Sequence, residues 1–137
     1  MIRRVDPGRE TVRHLLNTLD EACFPGDTLC PKMGWWWVAY TNLDPVAFAG
    51  LRPLAKEPHA GYFCRAGVLK HARGKGLQKK LIRVRIAYAR RQGLKTLITD
   101  TTDNIVSANN LIACGFKLYE PSNSWAFDHS LYWRKDL

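Results

Sequence analysis

Residues Arg73-Gly74-Lys75-Gly76-Leu77-Gln78 have the types and spacing to hold an anion. Glycine lets backbone approach a ligand closely and adopt conformations that a side chain forbids. A strand-like run, residues 60–69, precedes the turn. After it Leu77, Leu81, Val84 and Tyr88 recur on one helical face to about Gln92. A helix starting here presents unpaired N–H groups and the positive end of its dipole to whatever lies before the turn. Lys75, Lys79 and Lys80 add charge. The expected occupant is a phosphate or pyrophosphate. It is not held by a G-x-x-x-x-G-K-[ST] loop, for which neither the preceding glycine nor the Lys-Ser/Thr pair is present. A G-x-G-x-x-G turn is excluded too, because Lys79 stands where its last glycine would be.

The charge supports an anionic partner. The chain has 137 residues and a formal charge of +9. No Asp or Glu occurs from Pro58 to Thr99, a stretch holding Arg65, Lys70, Arg73, Lys75, Lys79, Lys80, Arg83, Arg85, Arg90, Arg91 and Lys95. Such a block suits nucleic acid or a phosphate-rich cofactor, or is a solvated helix face. The length fits one domain, residues 1–137, able to bury a core without staples. The four cysteines, Cys23, Cys30, Cys64 and Cys114, form no C-x-x-C pair and have no His at zinc spacing. Reduced thiols and no metal are expected. No stretch is long and apolar enough for a membrane span, and the basic N-terminus lacks the apolar run of a signal peptide. The expectation is a soluble, cytoplasmic protein with no membrane partner.

The elements that must position the turn follow from periodicity. Ile2 to Val5 reads as a strand, with Asp6-Pro7 as cap and first turn of a helix over 8–22. Residues 35–40 and 46–51 read as a hairpin around Asn42–Pro45. Trp36 should face opposite to Trp35 and Trp37, as sheet packing or as a wall for a substrate. Lys56-Glu57-Pro58 reads as a loop, and Gly67 marks a bulge or a close backbone approach. Gly93 caps the helix after the turn. Residues 96–99 form a strand, and Asp103 or Asn104 caps a helix to Cys114, which Gly115 stops. Residues 116–119 and 125–133 finish as strands. The order is β-α-β-β-β-α-β-α-β-β, a mixed α/β (α+β) layer fold on one central sheet.

The stretch Val68-Leu69-Lys70-His71-Ala72-Arg73-Gly74-Lys75-Gly76-Leu77 resembles the acetyl-CoA motif of the GNAT superfamily of N-acetyltransferases, V-x-P-x-x-R-G-x-G-hydrophobic-G. Asn104-x-x-Ser107, with Asn104 eleven residues before Gly115-Phe116, resembles the family's later motif, and residues 131–137 its last strand. The resemblance implies a mostly antiparallel twisted sheet flanked by helices, and acetyl-CoA as cosubstrate. Its pantetheine would pair with backbone of Ala66, Gly67 and Val68 as an added strand. Its pyrophosphate would sit on residues 74–79, namely Gly74, Lys75, Gly76, Leu77, Gln78 and Lys79, beside Arg73. Asn104 would reach the pantetheine arm. An amine would attack the thioester directly, with a backbone N–H near Val68 or Leu69 polarising the carbonyl.

Two positions depart from the family pattern. Gln78 stands where a small residue is usual, and is tolerable if it points away from the phosphates. Leu111 stands where many members carry the tyrosine that protonates the departing thiolate. Ser107 is the first replacement acid, ahead of Cys114 and Tyr119; a hydroxyl spent on its own helix is the alternative. Glu57, with His59 and Tyr62, lies where family members often place a base. The acceptor would be a primary amine on a protein or peptide, a small amine, or an aminoacyl-tRNA. A non-catalytic domain of the same fold, binding nucleic acid or CoA through the basic helix, is the competing reading; the intact turn and Asn104 count against it.

Overall fold

A computed structural model describes residues 1–27, 29, 31 and 33–137. Cys30 lies outside the described residues; Cys23, Cys64 and Cys114 are free thiols.

The elements are β1 (Ile2–Val5), α1 (Glu10–Cys23), β2 (Trp35–Thr41), β3 (Asp44–Leu54), β4 (Glu57–Val68), α2 (Leu77–Arg91), β5 (Thr96–Thr101), α3 (Ile105–Ala113), β6 (Lys117–Leu118) and β7 (Leu131–Asp136). They follow the expected order. One seven-stranded sheet runs β1-β2-β3-β4-β5-β7-β6. Every pairing is antiparallel except β4 with β5.

The sheet separates two apolar layers, set by the alternation of side chains along each strand. Trp36, Val38 and Phe48 meet Leu16 and Leu19 of α1. Trp37, Ala47, Ala49 and Leu51 meet Leu81, Ile82 and Ile86 of α2 and Leu111 of α3. The tryptophan run therefore serves packing: Trp35 and Trp37 both lie edge-on to Tyr88.

Several boundaries differ from the expectations. Asp6 does not cap α1. Its Oδ1 takes the N–H of Gly8 in a local turn, and the helix starts four residues on. Glu57 and Pro58 open β4 rather than forming a loop, because the β3–β4 hairpin closes at Leu54↔Glu57. The last strand starts at Leu131, not Trp125. Ser130 N–H turns back to the Phe127 carbonyl, and the Trp125 indole is pulled across to β5.

Candidate active site

The parallel pairing of β4 with β5 ends at Tyr62↔Ile98. Beyond it both strands continue, to Val68 and Thr101, without pairing to each other. The last half of β4 is held on one side only, through Ala66↔Ala49, Gly67↔Phe48 and Val68↔Ala47. Its other edge faces a cleft of about 300 Å³ between the diverging strands. Parallel strands that split leave backbone donors and acceptors exposed, which is what strand addition needs.

Just past Tyr62, β4 carries a bulge. Gly50 pairs with Arg65 while Arg52 pairs with Tyr62, so Phe63 and Cys64 together face Leu51. A bulge of this kind leaves a residue out of the ladder and re-aims the strand. Gly67 is not the bulge. A Cβ there would lie 2.7 Å from Cys23 Sγ and 2.8 Å from Phe48, so glycine is required for α1 to approach. The Leu69 N–H donates to the Val46 carbonyl at 2.8 Å and is therefore spent. At the bulge the Phe63 carbonyl accepts from Thr99 Oγ1 at 3.0 Å.

Residues 73–79 lead from β4 into α2, and of them Gln78 lines the cleft. Gly74 and Gly76 both have left-handed backbone, at φ +79° and +78°. Open space lies in front of each. Gly76 is the N-cap of α2, and no side chain caps the helix. The first intrahelical bond joins Lys80 N–H to the Gly76 carbonyl, so the N–H groups of Leu77, Gln78 and Lys79 precede the ladder. Arg73 bends back, its Nε donating to the Val68 carbonyl at 3.0 Å, and fixes the turn against β4. Together these groups fit a pyrophosphate.

Gln78 points away from that turn. Its Nε2 donates to Ser107 Oγ at 2.8 Å, and its Oε1 accepts from Asn110 Nδ2 at 2.6 Å. The residue that departs from the family pattern thus ties α2 to α3. Ser107 is left with its own hydroxyl proton to give. Asn104 caps α3, its Oδ1 taking the Ser107 N–H at 3.0 Å, which leaves its amide nitrogen for a ligand. Asn104, Ser107, Gln78 and buried Leu111 all line the cleft.

Glu57 does not reach it. It is exposed at the far end of β4, seven residues from Cys64, or about 23 Å along a strand. It lines a second cleft of about 780 Å³ with Arg52, Tyr119 and Arg134. His59 is also exposed on that end of β4. Of the three residues considered for a base, only Tyr62 lines the cleft that Ser107 lines.

Two features of the site gave no sequence signal. Asp100 on β5 lines the cleft and accepts from Tyr62 Oη at 2.6 Å and Trp125 Nε1 at 2.9 Å. Burial, and next its hydrogen bond to Asp100, push the Tyr62 phenol up, so it stays a donor. Arg85 is buried within α2 rather than lying on the basic face. It donates to the carbonyls of Gly50 and Leu81 and stacks 3.8 Å from the centre of the Phe63 ring. Burial pushes its guanidinium down to about 9, still charged at neutral pH. It thereby supports the bulge from below. Arg65, beside the bulge, is held by buried Asp20 at 2.7 Å and by Asp27 at 3.1 Å. Lys80, Arg83, Arg90 and Arg91 form the exposed basic stripe of α2.

A sheet split beside a helix that opens on an uncapped glycine turn offers backbone groups to an extended, anionic ligand. The chain belongs to the acetyltransferase (GNAT) family, whose family model matches residues 9–116. Solved structures share the fold. A Bacillus subtilis acetyltransferase solved in complex with CoA superposes with a TM-score of 0.78 at 17% identity, over 99% of this chain and 97% of that one. The ribosomal-protein-S18-alanine N-acetyltransferase of Escherichia coli superposes with a TM-score of 0.78 at 12% identity, over 99% and 94%. A ribosomal-protein-alanine N-acetyltransferase of Brucella melitensis gives 0.75 at 18% identity, over 100% and 99%. No curated protein matches the chain in sequence. No helix among the described residues is long and apolar enough to cross a membrane.

Proposed function

We propose that the protein is an acetyl-CoA-dependent N-acetyltransferase that acts on a primary amine by direct attack on the thioester. The observation that carries this reading is the open edge of β4 together with the uncapped start of α2 that follows it. The pantetheine amides pair along Ala66, Gly67 and Val68, and the pyrophosphate takes the N–H groups of residues 74–79. Lys75 and Lys79 add screening charge, and the Asn104 amide nitrogen reaches the pantetheine arm. Backbone at the Phe63–Cys64 bulge polarises the thioester carbonyl.

The amine nitrogen bonds to the carbonyl carbon, and the carbon–sulfur bond breaks. Ser107, held as an acceptor by Gln78, gives its proton to the departing sulfur. Water replaces that proton. Much of the rate comes from holding the two substrates on one path between the split strands.

The experiment is thermal denaturation with acetyl-CoA. At 100 times its dissociation constant the ligand adds about 2.7 kcal/mol. Gly76→Val should abolish the shift, because a branched side chain fills the open space before the turn and strains a left-handed position. A variant that folds and still binds as tightly as the parent overturns the assignment.

The exposed stripe of Lys80, Arg83, Arg90 and Arg91 favours an acceptor with acidic character, such as a peptide on ribosomal RNA or an aminoacyl-tRNA. RNA that binds the protein and is not displaced by CoA would instead favour the non-catalytic reading.

A further inference from the structure

The cleft between β4 and β5 holds a carboxylate in a protein of net positive charge. Asp100 is the only carboxylate among its lining residues. The two cations that line it are engaged elsewhere, Arg65 by Asp20 and Asp27, and Arg85 by two backbone carbonyls and the Phe63 ring. Among the described residues no Lys, Arg or His forms an ion pair with Asp100.

The geometry around it is specific. Tyr62 Oη and Trp125 Nε1 both donate to the same oxygen, Oδ1. The second oxygen, Oδ2, makes no hydrogen bond with the described residues. The Trp125 ring is edge-on to Tyr62 at 6.1 Å and to Tyr132 at 4.6 Å, so the indole that anchors the carboxylate is itself locked by aromatic packing. Asp100 lies two residues past the last β4–β5 pair, as Cys64 of the bulge does on the facing strand. The carboxylate and the bulge therefore flank the same opening. Tyr62 also lines the second, larger cleft.

We propose that Asp100, oriented by Tyr62 and Trp125, is the receptor for the acceptor's ammonium group, and that it selects cationic primary amines. A carboxylate with one oxygen fixed, the other open and aromatic rings beside it matches an alkylammonium in charge and shape. Asp100 binds the cation. The ammonium then loses one proton to water before attack, and the second proton lost by nitrogen after attack balances the one taken up by sulfur. This inference rests on the N-acetyltransferase reading, because it assigns that reaction's acceptor.

The probe is n-butylammonium, with n-butanol as its uncharged counterpart. Binding is followed by the indole N–H resonances in ¹⁵N NMR, and Trp125→Phe identifies the one from Trp125. Expected is a saturable shift of that resonance with n-butylammonium and none with n-butanol. Asp100→Asn should weaken the binding by about tenfold or more, the scale of a lost charge-assisted hydrogen bond. Tyr62→Phe, which removes one anchor of Oδ1, should weaken it less. Equal responses to amine and alcohol, or Asp100→Asn binding as the parent does with dispersed spectra, overturn the proposal. Acetyl-CoA stabilisation is measured on the same samples. Its loss in the parent protein refutes the transferase reading, whereas its retention beside a silent Trp125 resonance refutes only the ammonium site.

Discussion

The two walls of the β4–β5 cleft are made of different material. The β4 wall offers backbone: an open strand edge, a bulge and the first turn of α2. The β5–α3 wall offers side chains: Asp100, Asn104 and Ser107. Backbone groups are the same whatever the residue, so the first wall suits a ligand that many proteins share. Side chains vary, so the second wall is where an acceptor and its proton chemistry are chosen.

That contrast can be broken most sharply at Ser107. Ser107→Ala should lower kcat by about 10²–10⁴-fold, the usual contribution of a positioned general acid, with little change in acetyl-CoA affinity. Single-turnover kinetics with an amine panel measure it. The thiol of CoA resembles an ordinary thiol of pKa about 8.5, so departure as a free thiolate is the competing account. Unchanged kcat from roughly pH 6 to 9, a window spanning that value, removes Ser107 from the mechanism. The same variant also loses the acceptor for Gln78 Nε2, so urea unfolding should show a cost near 1 kcal/mol in either case.

The β4 wall should respond through stability instead. Asp20 is buried and joins α1 to Arg65, one residue past the bulge. Asp20→Asn should destabilise by about 3 kcal/mol, the low end for a broken buried pair, since Asp27 keeps part of the contact. Urea unfolding reads this directly. A cost below that of a surface pair would mean that Arg65 relaxes into solvent and that the bulge does not depend on α1.

The difference between the walls also explains what was legible in the sequence. Residues 73–79 are one contiguous stretch, so glycine spacing before a periodic helix revealed the turn and α2 together. Asn104 was legible as a helix cap, whereas Ser107 stood out only through the resemblance of Asn104-x-x-Ser107 to the family's later motif. Asp100, Trp125 and Tyr62 come from three separated segments, and nothing local marks their meeting. The periodicity of β5 gave Asp100 only as the residue after a short strand. Trp125 read as a strand former, whereas its indole N–H is drawn to a carboxylate 25 positions away in the chain. Glu57 lies outside the cleft that Ser107 lines for a related reason. A strand start was assumed to lie near the chemistry, but the β3–β4 hairpin lengthens β4 backwards and carries Glu57 to the opposite end. Arg85 was counted with the surface charges, because periodicity cannot tell a cation beneath a bulge from one in water.

The smallest effect should come from Lys75. Its side chain is exposed, next to the left-handed glycines. An exposed ion pair contributes about 0.2–1 kcal/mol, so Lys75→Ala should weaken acetyl-CoA binding by a few-fold at most. The informative quantity is the salt dependence. A charge that meets the pyrophosphate should flatten the fall of affinity with ionic strength when removed, because screening acts on that charge. Lys80→Ala is the control. Lys80 is equally exposed but belongs to the stripe with Arg83, Arg90 and Arg91, leading away from the turn along α2. Titrations across salt should therefore separate the two: Lys75→Ala flattens the slope for acetyl-CoA, and Lys80→Ala leaves it nearly unchanged. For a short RNA the order should reverse, since the stripe presents several cations to a polyanion and each contact releases counterions. If both variants flatten the acetyl-CoA slope equally, the helix contributes a general field instead of a local contact, and the backbone N–H groups of residues 74–79 alone define the phosphate site.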